Sequence, residues 1–291
     1  MLNKRVISDL MGIIKEKGRM LDYELLANFF DFRELDIIAE LKRYQNSDGG
    51  FGNALEPDVR MPDSNIVSTN IAVHIIEAVD DESLRGNIER DIALYYEKTY
   101  IEDKEIWEMV PKEVNNYPRA IWWNYDENSV SSYGNPNPQI VGFLYKHRNY
   151  LKKIDIDYHV KKVVNYILND FPKESAKHNI LSCLFFYSYM TDDIKEKIYE
   201  TIQIAVDKEL KLYHEDTYCL EPYEIKLAAP VFIKHHKELL EKNLDLLNEK
   251  IHKGLVLPNW KWNQFPEEFE KAKDEWASYL TYRTIKALLI N

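Results

Sequence analysis

Residues 41–70 read LKRYQNSDGGFGNALEPDVRMPDSNIVSTN, and the fold is read outward from this stretch. It leaves one helical pattern, crosses a long loop holding three glycines and two prolines, and enters a second helical pattern. The glycines of QNSDGGFGN permit positive φ and a tight reversal after a helix. Phe51 is placed to anchor that turn, with Gln45 and Asp48 placed to bond its exposed backbone groups.

Either side of this loop the chain is helical in pattern. Period-two alternation of β-branched residues is nearly absent, whereas apolar residues recur at helical spacing almost everywhere. The predicted helices are of two kinds. Residues 33–45, 84–98, 156–169, 192–210 and 235–250 carry an apolar stripe and a charged face, as Ile194, Ile198, Ile202 and Ala205 show. Residues 71–79, 139–145, 180–190, 278–290 and, broken by Pro230, 224–234 are apolar nearly all round and so must be buried on every side. The two kinds alternate along the sequence. A ring of helical hairpins, with the apolar helices inside, satisfies every face at once. The expectation is therefore an all-α chain, a single α/α-toroid domain over residues 1–291, with 4–17 and 22–30 as a sixth pair. A solenoid, the other arrangement of helical hairpins, leaves fewer helices apolar all round.

Long irregular segments fall before the apolar helices, at 46–64, 107–138, 172–177, 213–222 and 255–275, while the links after them are short. In an up-down ring these long segments share one rim, which is where a binding mouth is expected.

Composition narrows the partners. Apolar residues at 45% and charged residues at 30% describe a globular chain, and no apolar run approaches the roughly 20 residues of a membrane span. A net charge of −11 argues against a nucleic-acid surface, which needs clustered cations. Two cysteines, Cys183 and Cys219, read as reduced thiols of a cytoplasmic protein, and the charged N-terminal segment reads as a first helix. The expected partner is a small-molecule substrate. No cofactor motif is found, whether phosphate loop or dinucleotide fingerprint.

At this point a resemblance enters. Q-x-x-D-G-G-F-G, residues 45–52, resembles the repeat that joins outer to inner helices in terpenoid cyclases and protein prenyltransferase β subunits, which share the α/α toroid. One clear copy is present, and LVLPNWKW at 255–262 reads as a second copy without its glycines. In that superfamily the motif is mainly structural. With the closing W-x-W segment, the chain also resembles, over nearly its whole length, bacterial toroid proteins described as prenyltransferase-like, a likeness that implies no reaction. The D-x-D-D signature of class II cyclases is missing. Asp80-Asp81 and Asp192-Asp193 fall in short links on the opposite rim, and no D-D-x-x-D stands on the mouth side.

The chemistry is therefore sought just after the motif. Glu56 and Asp58 flank Pro57, and two carboxylates in a partly dry site can hold different proton affinities, one to donate and one to accept. Asp63 is a third acid, and either Asp63 or Ser64 is expected to cap the next helix. Arg60 and Asn65, with Ser68 and Thr69, would present polar groups at the mouth. In the second rim segment Trp122, Trp123 and Asn124 would either pack beneath the loop or offer flat faces to substrate. His178 opens the third apolar helix, as a structural hydrogen-bonding residue or a proton carrier. Before the fourth lie His214, Asp216, Cys219, Glu221 and Tyr223. His, Asp and Cys are zinc-ligand types, yet the prenyltransferase D-x-C pair is absent, so no metal is expected and Glu221 is the acid to consider there. Trp260 and Trp262, two residues apart, would face the same side of an extended segment.

The leading expectation is an enzyme with catalytic Glu56, Asp58, Asp63 and Glu221 in an aromatic-lined cavity, acting by resemblance on an isoprenoid-like substrate. The competing readings are a carbohydrate-active enzyme with paired carboxylates and stacking tryptophans, and a non-catalytic toroid that binds a ligand or peptide.

Overall fold

The computed structural model describes residues 4–31, 33–127, 133–173, 176–215 and 217–290. Among these the chain is all-helical, with twelve α-helices: α1 Lys4–Lys17, α2 Met20–Ala27, α3 Glu34–Leu41, α4 Ile66–Ile76, α5 Glu82–Thr99, α6 Asn137–Lys146, α7 Ile156–Asn169, α8 Lys177–Tyr189, α9 Asp192–Leu210, α10 Pro222–Ala228, α11 Lys237–Lys253 and α12 Pro266–Leu289. Extended pairing is confined to isolated bridges. No helix among the described residues is long and apolar enough to cross a membrane.

Local chemistry explains where the helices begin and end. Asp155 caps α7 by accepting the Tyr158 N–H at 3.1 Å, and Ile156, Val160, Val163, Val164 and Ile167 form its buried stripe. At α4 the expected caps, Asp63 and Ser64, are not used. Asn65 is the cap, its side-chain oxygen accepting the Ser68 N–H at 2.9 Å, so the helix starts at Ile66. Ser64 instead donates to Asp48 at 2.7 Å. The fourth apolar helix ends early, because Pro230 offers no N–H to continue it, and the chain tightens into 3₁₀ turns over Pro230–His236. The last is longer than its apolar run: α12 begins with Pro266 and runs 24 residues.

The chain falls into two compact units. The first comprises Met1–Ile92, Met109–Ser129 and Leu244–Asn291. In it α2 packs on α1, α3 and α12, and Leu10, Ile14, Leu26, Ile251 and Ile285 close a core cluster. The second comprises Ala93–Glu108 and Val130–Asn243. There α6 packs on α7 and α8, α8 on α9 and α10, and α7 on α9. Ile180, Leu184 and Phe186 of α8 are fully buried, each contributing about 1.5–3 kcal/mol. Within this unit, helices apolar on every side touch one another, and the amphipathic α7 and α9 do the same.

Candidate active site

The site lies in the first unit and starts from the glycine-rich turn. Gln45 and Phe51 form an antiparallel bridge around it, the Gln45 amide donates to Gly49 O at 3.3 Å, and Asp48 accepts the Gly50 N–H at 3.0 Å. Gly49 sits at φ +90°, and a Cβ on Gly52 would stand 2.3 Å from two carbonyl oxygens, so both positions require glycine. Phe51 is wholly buried. The polar start of α4 then fastens this loop: Thr69 Oγ1 accepts the Phe51 N–H at 3.1 Å and Ser68 Oγ accepts the Glu56 N–H at 3.4 Å. Asn65 is 1% exposed and occupied as a cap, which removes it from the expected substrate-binding set.

Residues 58–60 are then held against 118–120. Ala120 N–H donates to Asp58 O at 2.9 Å, Arg60 N–H to Pro118 O at 3.0 Å, and Val59 bridges Arg119. This pairing sets Trp123 beside the carboxyl-bearing loop. Arg119 Nη1 donates to the carbonyls of Asn115 and Tyr117 at 3.1 and 2.8 Å, holding the segment's own turn.

Asp58 is the centre of an indole cluster. Its Oδ1 accepts from Trp262 Nε1 at 2.6 Å and Trp276 Nε1 at 2.8 Å, and its Oδ2 from Trp260 Nε1 at 3.1 Å. Trp260 and Trp262 thus turn to one side of their segment, and Trp260 stands edge-on to Trp276 with ring centroids 5.2 Å apart. Burial pushes the Asp58 carboxyl above its ordinary value, against the pull of the three indole N–H groups and of Arg60. Three N–H donors stabilise a carboxylate and leave few lone pairs for anything else.

Glu56 has the opposite surroundings. It is 6% exposed, and burial, then the negative charge of Asp58, raises its proton affinity well above the ordinary carboxylate range. Arg19 and the nearby N–H groups of Asp58 and Trp123 act the other way. The Trp123 indole N–H is itself buried beside the Glu56 carboxyl. Of two carboxyls two residues apart, Asp58 thus accepts three indole N–H groups, and Glu56 takes the stronger upward push on its proton affinity. Sequence symmetry becomes chemical asymmetry.

The surrounding ion pairs are buried as well. Arg19 donates to both Asp22 oxygens, at 2.7 and 2.9 Å, and through Nη1 to Leu55 O at 2.8 Å, fixing the backbone just before Glu56. Asp22 also accepts the Ser278 hydroxyl of α12. Arg60 pairs through both terminal nitrogens with Glu275, one residue before Trp276. Tyr279 of α12 lies with its ring 5.5 Å from the Arg19 guanidinium; burial raises the proton affinity of its phenol, with Glu56 among the charges that add to the effect.

Glu56, Asp58, Arg60, Trp123, Trp260 and Trp262 are therefore gathered in one unit. Trp122 is 46% exposed, Asp63 and Asn124 are exposed, and Asn124 accepts from Gln264 at 3.3 Å. The other candidates belong to the second unit. Glu221 stands at the N-cap of α10, its N–H bonded to Glu224 Oε2 at 3.0 Å, and its carboxylate accepts from Asn243 at 3.3 Å, a helix-starting role. Tyr223 is buried, with its N–H on Asn243 Oδ1 at 3.1 Å, and His178 shares a 2.9 Å hydrogen bond with the Tyr218 hydroxyl. Asp216 lies outside the described residues. Among the described residues no group of three or more His, Cys, Asp and Glu side chains is placed to hold a metal ion.

Five residues of the assembled site were not singled out from sequence: Arg19, Asp22, Glu275, Trp276 and Tyr279. Trp276 had a signal, as the third tryptophan of the closing segment NWKWNQFPEEFEKAKDEW. Arg19 and Asp22 had none, because a charged pair between two short helices looks like any solvated link. Comparison with protein-family models, with curated proteins and with solved structures finds no match to this chain.

Proposed function

We propose that this protein is an acid-catalytic enzyme with an α/α-toroid fold of the terpenoid cyclase and prenyltransferase kind, acting on an apolar, isoprenoid-like substrate with Glu56 as the proton donor. The observation that carries the reading is the unequal carboxyl pair. Burial and the charge of Asp58 raise the proton affinity of Glu56 well above the ordinary carboxylate range, while three indole N–H groups donate to Asp58 and favour its charged form. A neutral acid beside indole and phenol faces suits a substrate with little polarity, because such walls stabilise developing positive charge without offering a base. The toroid reading is supported by the packing within the second unit, where α8 adjoins both α6 and α10 and the amphipathic α7 and α9 adjoin each other. Hydrolysis of a sugar by this pair is disfavoured, because a nucleophile or base needs free lone pairs and those of Asp58 are engaged.

The test is extraction of the purified protein, mass spectrometry of any bound molecule, and turnover of a panel of isoprenoids by wild type and Glu56→Gln. An aliphatic ligand and a loss of about 10²–10⁴-fold in turnover are expected. A bound sugar, or Glu56→Gln turning over as fast as wild type, would sink the proposal.

A further inference from the structure

In the first unit, the apolar helices carry few charges, and these gather in one place. His74 is the one titratable side chain of α4, and Arg283 and Lys286 are the two cations in the apolar last half of α12. His74, Arg283 and Lys286 are half-buried and Glu77, just past α4, is exposed, so solvent reaches the group. Burial, then the charges of Arg283 and Lys286, pushes the pKa of His74 down to about 3, which leaves its ring neutral. The Lys286 ammonium closes no ion pair or hydrogen bond among the described residues. Burial disfavours its charge, Glu77 favours it, and the like charge of Arg283 disfavours it again. Two cations and one carboxylate thus leave one positive charge in excess, in a chain whose net charge is −11. A partly buried excess charge is costly, and a bound anion recovers that cost.

The helix geometry ties these cations to the acid site. Trp276, Tyr279, Arg283 and Lys286 fall within about 80° of arc on α12, one stripe about 15 Å long. Trp276, at its start, donates to Asp58, and Tyr279 stands 5.5 Å from the Arg19 guanidinium, which bonds the backbone just before Glu56. Arg19 and Asp22, the ion pair beside Tyr279, balance each other. From Tyr279 to Lys286 the axial rise is about 10 Å. We propose that Arg283 and Lys286 anchor the carboxylate of an isoprenoid-like monocarboxylic acid, which lies along this stripe with its apolar end at Glu56. The inference rests on the acid-catalytic reading given above and gives its substrate a charged tail. A single carboxylate matches the single excess charge, whereas a diphosphate leaves the group strongly negative.

The experiment compares two probes with one carbon chain, geranate and the uncharged alcohol geraniol, by calorimetry at low ionic strength. Geranate is expected to bind at least about tenfold tighter, because hydrogen bonds to a charged group are the stronger ones. Lys286→Gln, checked for folding by circular dichroism, is expected to lose most of that preference. Glu77→Gln, at an exposed position, is expected to tighten geranate severalfold and leave geraniol unchanged, a change of sign that a purely structural role for these charges does not give. Geraniol binding as tightly as geranate, or a folded Lys286→Gln that keeps the preference, overturns the carboxylate anchor and leaves the acid reading to its own turnover test. If neither compound binds, the anchor falls, and turnover of uncharged isoprenoids still decides the acid reading. The wild-type comparison and Glu77→Gln settle the matter even if Lys286→Gln does not fold.

Discussion

Asp58→Asn isolates what the indole cluster contributes. The carboxylate accepts three indole N–H groups, two on Oδ1 and one on Oδ2. An asparagine keeps one oxygen, enough for Trp262 and Trp276, and turns an NH₂ group toward Trp260. The Trp260 N–H then meets an amide NH₂ in place of its carboxylate acceptor at a half-buried position, which costs about 1–3 kcal/mol. The two remaining bonds drop from charge-assisted to neutral, about 1 kcal/mol each. Relief of the buried charge offsets part of this sum. The expected net loss is about 2–4 kcal/mol, read from urea unfolding midpoints at constant slope and followed by tryptophan fluorescence. Trp260→Phe removes one donor and should lose less than Asp58→Asn. A variant Asp58→Asn within about 0.5 kcal/mol of wild type would refute the reasoning, since surface-like changes fall in that range.

The pH dependence of stability follows from Glu56. Its folded proton affinity is raised above the ordinary value of 4.5, so its contribution is complete below that value and is lost as pH rises through the folded value. Within this window each pH unit removes up to about 1.4 kcal/mol, and Asp58, also raised, acts with the same sign. Urea unfolding from pH 5 to 8 should therefore show a decline in wild type that Glu56→Gln flattens; parallel curves would contradict the assignment. At the start of α4, Asn65→Ala should cost about 1 kcal/mol in thermal or urea unfolding, with Asn65→Asp largely retaining the cap. If Asn65→Ala melts with wild type and Ser64→Ala does not, the cap has been misplaced.

The loop after the glycine motif was legible as the place to look, and for a local reason. Glycines, prolines and acids cluster there between two helical patterns, and Glu56, Asp58 and Arg60 do lie in the assembled site. The roles within the loop were not legible. Asn65, Ser68 and Thr69 read as a polar patch facing a cavity, but they hold the cap and the loop backbone instead. Glu221 read as a mouth acid, and it starts a helix. A polar residue near a helix start has two uses, capping and chemistry, and the linear sequence does not say which geometry it will meet.

By itself the sequence determined that the described chain is helical, while the bounds of α4, α10 and α12 differ from its pattern. Helical periodicity is a property of neighbours along the chain, and so is the alternation of apolar and amphipathic segments. The tertiary structure alone decided the chemical difference between Glu56 and Asp58. Both are carboxyls beside the same proline. The indoles that donate to Asp58 come from 202, 204 and 218 residues away. Proton affinity is set by burial and by neighbours in space, and neither is written in the local pattern.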